Sequence, residues 1–172
     1  VACEYGSLET VEFLISLNKI DITSVDNEGK NAICHACLNK EQAIPIITYL
    51  ISLNKIDLGA KDRNNKTVMF YACQKGDIEL FLFLQKAHKF KYDDQDDKGK
   101  TILHYACENR NFDLVQTIVS LGAITTIKDN NKMTLLHYAC QNGCFDIVYY
   151  LIGRGEFNIN EKDARGMTSY NL

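Results

Sequence analysis

No run of apolar residues in this chain approaches the ~18 that a membrane-spanning helix requires. Nor do the residues given, from Val1 on, read as a charged leader with a small-residue cleavage site. Charge of one sign is also missing: 19 basic and 22 acidic residues leave a net charge of −3, which gives no general footprint for nucleic acid or an anionic membrane. Catalytic signatures are equally absent. Ser7, Ser16, Ser24, Ser52, Ser120 and Ser169 lie outside any GxSxG setting, no glycine-rich phosphate loop follows a strand, and no carboxylate pair sits in a plausible cleft. A calcium loop opening at Asp93 fails because Lys98 and His104 stand where glycine and glutamate are needed. The expectation is a soluble protein without enzymatic activity, cofactor, metal, nucleic-acid partner or membrane insertion.

What the chain does have is repetition. Residues 101–121, TILHYACENRNFDLVQTIVSL, return 33 residues later as 134–153, TLLHYACQNGCFDIVYYLIG. Fainter copies begin at residues 67 and 31, and a copy that opens in mid-unit begins at Val1. An Ala-Cys pair fixes the register, with Cys3, Cys37, Cys73, Cys107 and Cys140 spaced by 34, 36, 34 and 33 residues. A period near 33 means that each unit buries its apolar face only against its neighbours, so the core is a strip. Thr101 and Thr134 are placed to cap the inner helix of their units. The turn that follows needs a left-handed residue, which Gly6, Gly76 and Gly143 would supply; Arg110 and Lys40 take the same slot at a cost of ~1 kcal/mol each. The outer segment IELFLFLQ, residues 78–85, is almost wholly apolar and should be the best buried of its kind.

The pattern DxxGxTxLHxAC at residues 96–107, its relative at 129–140, and outer segments such as Phe112-Asp113-Leu114-Val115 resemble the ankyrin repeat. The similarity covers nearly the whole chain. Two departures stand out: the proline usual after the Thr is Ile102, Leu135, Val68 or Ala32, and the usual Ala-Ala is Ala-Cys. The Tyr-Ala-Cys form is similar to ankyrin arrays of some protozoa. This resemblance implies an all-α solenoid of stacked antiparallel helix pairs with short β-turn or hairpin fingers. Its single domain, 1–172, would hold four full repeats (26–61, 62–95, 96–128 and 129–162) between partial ones at 1–25 and 163–172. The partial ends suggest a piece of a longer protein, in which uncapped ends are open to self-association.

The seven cysteines do not read as a disulfide framework. Five share one repeat position, and stacking puts them on adjacent helices about 10 Å apart, beyond the ~4.4–6.8 Å Cα separation of a disulfide. Reduced, buried core thiols are expected, which points to an intracellular, cytoplasmic setting. His104 with Cys107 and His137 with Cys140 have the i, i+3 spacing of a zinc half-site, and residues 34–37 read CHAC. Structural roles account for both: in the resembling family His at this position bonds the capping Thr.

The resemblance further implies protein–protein recognition on a concave face lined by fingers and inner helices. Residues the repeat leaves unassigned are the candidates for contact. On the fingers these are Asn27, Glu28, Lys30, Arg63, Asn64, Lys66, Asp97, Lys98, Lys100, Asn130, Asn131, Lys132 and Met133. On the inner helices they are Gln74, Lys75, Glu108, Asn109, Gln141 and Asn142. Lys30, Lys66 and Lys100 recur at one position and, with Arg63, Lys98, Lys132 and Arg165, predict a positive stripe suited to an acidic or phosphorylated segment of the partner. The alternative is a spacer or regulatory array of a larger enzyme or channel whose activity lies outside these residues.

Overall fold

A computed structural model describes residues 1–171. Apart from an isolated antiparallel bridge between Lys162 and Thr168, the regular structure of these residues is helical. In chain order the helices are α1 (Ala2–Tyr5), α2 (Leu8–Ser16), α3 (Ala32–Cys37), α4 (Ala43–Ser52) and α5 (Val68–Lys75), then α6 (Ile78–Ala87), α7 (Ile102–Glu108), α8 (Phe112–Ser120), α9 (Leu135–Gln141) and α10 (Phe145–Gly153). Odd-numbered helices are the inner members of each repeat and even-numbered ones the outer. The chain forms two compact units, one of residues 1–72 with 79–90, the other of 73–78 with residue 91 onward.

In the second unit α7 packs on α8 and α9, and α10 packs on both α9 and α8. The two inner helices begin alike. Thr101 and Thr134 are extended, and their N–H groups donate to Nδ1 of His104 and His137 at 3.0 and 3.2 Å. The imidazole thus plays the part that Glu or Gln plays in a capping box. Since a backbone N–H can only donate, Nδ1 is the acceptor and the ring proton sits on Nε2. His137 passes that proton's hydrogen bond to the Met167 carbonyl at 3.3 Å.

Both inner helices end where the backbone turns left-handed, at Arg110 (φ 59°) and Gly143 (φ 64°). The outer helix α8 then starts at Asn111, whose Oδ1 accepts the Leu114 N–H at 3.0 Å. Its apolar residues Leu114, Val115, Ile118 and Val119 form one stripe, closed off by Gly122 at φ 91°. Leu103, Ala106 and Cys107 of α7, the helix on which α8 packs, are wholly buried. Each such side chain of Leu or Ile size stabilises the fold by roughly 1.5–3 kcal/mol.

The first unit follows the same plan with three local differences. Here α3 packs on α4 and α1, and α2 on α1 and α4. Asn31 replaces the capping Thr and accepts from Ile33 and Cys34, both at 3.0 Å. Gly6 is not left-handed as expected but extended, with φ −88°. It is needed for closeness instead, because a Cβ there would lie 2.5 Å from the Ala2 carbonyl oxygen. Lys40 likewise does not take the left-handed conformation. The two extra residues of this repeat let Asn39 turn the chain, its Oδ1 accepting from Glu41 and Gln42 at 3.0 and 2.8 Å. On the outer helix α6, Leu80, Phe81 and Leu84 are buried but Leu82 is 38% exposed, so this helix is less buried than its composition suggests.

At the end of the second unit residues 168–171 form a turn where an inner helix was expected. Cys140 faces this turn and the Ser169 hydroxyl, and it is half-buried like Cys3, whereas Cys37, Cys73 and Cys107 are fully buried. All seven cysteines are free thiols.

Candidate functional site

The fingers are built around an aspartate that opens each of them. In the fourth repeat, Asp96 Oδ1 accepts the N–H groups of Lys98 and Lys100, both at 2.9 Å, while its own N–H reaches the Lys100 carbonyl at 2.9 Å. Asp26, Asp62, Asp129 and Asp163 make the same three bonds. Closing so tight a loop requires a left-handed fourth residue, found at Gly29 (φ 79°), Asn65 (60°), Gly99 (75°), Lys132 (59°) and Gly166 (80°). Neighbouring fingers are stitched by backbone bonds: Arg63 donates to Glu28 at 2.9 Å in the first unit, and Asn130 to Lys98 at 2.9 Å and Ala164 to Asn131 at 2.8 Å in the second. Glycine serves this approach too. A Cβ on Gly99 would meet the Asn130 nitrogen at 2.6 Å.

In four of the five fingers the second aspartate oxygen ties the finger to its inner helix, whereas that of Asp163 is taken by Arg165 at 3.0 Å. Tyr105 donates to Asp96 at 2.6 Å and Tyr138 to Asp129 at 2.7 Å; Tyr71 donates to Asp62, and His35 bonds Asp26 at 2.9 Å. Burial, and then the accepting carboxylate, push the Tyr71 and Tyr138 hydroxyls well above the usual tyrosine range. Partial burial alone would raise Asp26, but the N–H groups of Lys30 and Glu28 and the His35 ring outweigh it and hold the carboxyl below its ordinary value. His35 also bonds Glu4 at 3.0 Å, joining the finger to α1.

Against this frame the expected contact residues separate into two sets. Lys30 pairs with Glu28 at 2.5 Å and lies 5.5 Å from the Tyr71 ring centre. Lys100 pairs with Glu108 at 2.5 Å, sits between the rings of Tyr105 and Tyr138 at 5.2 and 4.7 Å, and keeps only 13% of its side chain accessible. These lysines therefore do not form the projecting stripe that their recurrence predicts. They fold back because Tyr71, Tyr105 and Tyr138 offer a ring face beside a carboxylate. Lys66 is half-buried as well, and Met133, expected to be accessible, is 8% exposed.

Several amides are also structural. Asn109 Nδ2 donates to the Cys73, Gln74 and Tyr105 carbonyls at 2.7, 2.6 and 3.3 Å, and Asn130 Nδ2 to Asp97 at 2.8 Å. Asn142 Nδ2 holds the Tyr138 carbonyl at 2.8 Å, and Lys75 pairs with Asp77 at 3.1 Å. Exposed positions remain on both units. Asn27, Glu28, Arg63 and Asn64 project from fingers of the first; Asp97, Lys98, Asn131 and Lys132 project from those of the second, beside Gln74 and Gln141 on inner helices. Sequence reading missed the tyrosine–aspartate ties and the asparagine bridges, whose only signal is the recurrence of Tyr nine residues after Asp.

Among the described residues no group of three or more His, Cys, Asp or Glu side chains is arranged to hold a metal ion. No described helix is long and apolar enough to cross a membrane. His104 is wholly buried against the edge of the Tyr138 ring at 5.3 Å, and its Nε2 makes no hydrogen bond of normal geometry. Burial lowers its pKa to about 4. Comparison with known families gives a match to the model of ankyrin repeats (3 copies), over residues 1–95 and 82–163. No curated protein matches the chain.

Proposed function

Because this chain belongs to the ankyrin-repeat family, whose repeats are generally protein–protein interaction modules and typically non-catalytic, we propose that it binds a partner protein on the face formed by its fingers and inner helices. The observation that supports this face is the division of labour in the fingers. Aspartate, glycine and the inner-helix tyrosine or histidine fix the finger backbones, while exposed side chains such as Asn27, Arg63, Asn64, Lys98 and Asn131 project from them. Rigid presentation of variable side chains lowers the ordering cost of binding.

The charge of the exposed set suggests the partner's chemistry. On the second unit Lys98 and Lys132 project from adjacent fingers against Asp97 alone, which suits an acidic or phosphorylated segment. Exposed pairs contribute only ~0.2–1 kcal/mol each, so affinity rests on several contacts and falls with salt. Affinity capture from the source cell, using the chain and its Lys98→Glu/Lys132→Glu form as parallel baits, tests this reading. A protein held by the first bait and lost from the second supports it. Equal capture by both would remove these fingers from the binding surface.

A further inference from the structure

A different surface lies on the outer helices. Between α8 and α10 the second unit has a groove of about 500 Å³ walled by Phe112, Tyr149 and Tyr150 and lined further by Gln116, Asp146 and Arg154. The Phe112 and Tyr150 rings meet edge to face at 5.7 Å, which fixes one wall. Arg154 lies over Tyr150 at 6.0 Å and pairs with Glu156 at 2.6 Å, so the groove already holds one guanidinium between a ring and a carboxylate. The same two components stand ready a turn away with no cation between them. Tyr149 is 73% exposed, and the Asp146 carboxylate is exposed without a partner among the described residues.

The position of Tyr149 on the outer helix faces solvent in every repeat: it holds Glu12, Thr48 and Gln116 in three of the others and Leu82, 38% exposed, in the fourth. The Tyr149 ring stacks on that of Phe145 at 6.2 Å, and both rings stay largely open to solvent. Arg154 does not make the groove attractive to anions, because its charge is already matched by Glu156. Carboxylate and amide likewise argue against a purely apolar occupant.

We propose that this groove takes a cationic side chain, arginine foremost, from a basic segment of a partner protein, stacked on Tyr149 and matched by Asp146. Arginine is favoured over lysine because a planar guanidinium both stacks on a ring and forks to a carboxylate. The site is separate from the fingers, so one chain can engage an acidic segment on one face and a basic one on the other.

The test is a titration of labelled protein with a capped hexa-arginine peptide, followed by NMR of the aromatic rings. Shifts should appear at Phe112, Tyr149 and Tyr150, and hexaglutamate should move none of them. Tyr149→Ser, a substitution at an exposed position, should weaken hexa-arginine roughly two- to fivefold, the size of one exposed cation–π contact. Asp146→Asn should flatten the salt dependence of binding. Unchanged affinity in Tyr149→Ser would overturn the proposal. So would ring shifts that appear on raising protein concentration without peptide, since the occupant would then be a second copy.

Discussion

Lys132 and Gly99 occupy the same slot in adjacent fingers with the same left-handed backbone, at φ 59° and 75°. For lysine that conformation costs about 1–2 kcal/mol, partly offset in Lys132→Gly by the larger unfolded-state entropy of glycine. The substitution is therefore expected to stabilise by roughly 0.5–1 kcal/mol, seen as a higher urea midpoint at unchanged slope. Gly99→Ala should do the reverse by at least about 1–2 kcal/mol, because strain adds to the approach of Asn130 at 2.6 Å. Arg110→Gly should gain less than Lys132→Gly. Its guanidinium reaches the Cys144 thiol, a contact that the glycine would lose.

His104 carries the pH dependence at this scale. Burial lowers its pKa from 6.5 to about 4, so the unfolded chain takes up the proton first as pH falls. The stability it provides is fully present above pH 6.5 and is lost between 6.5 and about 4, by at most about 1.4 kcal/mol per unit. Protonation would also set an Nδ1–H against the Thr101 N–H. Urea midpoints at pH 7 and 5 should fall for the native chain and fall less for His104→Gln, which keeps an acceptor for the cap but cannot titrate. Equal falls would place the acid sensitivity elsewhere.

At the scale of the element, the helices and fingers were legible because their determinants are local: Thr or Asn before an inner helix, Asp three residues before the left-handed slot, an apolar stripe on the outer helix. What was not legible depended on residues a repeat away. Lys100 reads as a free fingertip cation until Tyr138, 38 residues on, supplies the second ring that covers it. Asn109 reads as a surface amide, yet its partners Cys73 and Gln74 lie in the preceding repeat. The same reasoning orders the thiols. Burial raises the Cys73 and Cys107 pKa values far above the ordinary thiol value, whereas Cys140 is half-buried. Labelling with a thiol reagent in native buffer should modify Cys3 and Cys140 first and Cys73 and Cys107 last. A Cys107 that reacts as fast as Cys140 would contradict the stacking of α7 on α8 and α9.

The molecule as a whole has two kinds of surface: fingers and inner helices that present differing side chains from a fixed backbone, and outer helices whose apolar stripe is spent on the core. The distinction predicts where a partner leaves its mark. Hydrogen exchange of the chain, alone and with a protein captured by it, measures this directly. Added protection is expected at residues 27–30, 63–66, 97–100 and 130–133 and at the ends of α5, α7 and α9. Protection confined to α2, α4, α6, α8 and α10, with the fingers exchanging as in the free chain, would contradict the assignment of the finger face to recognition.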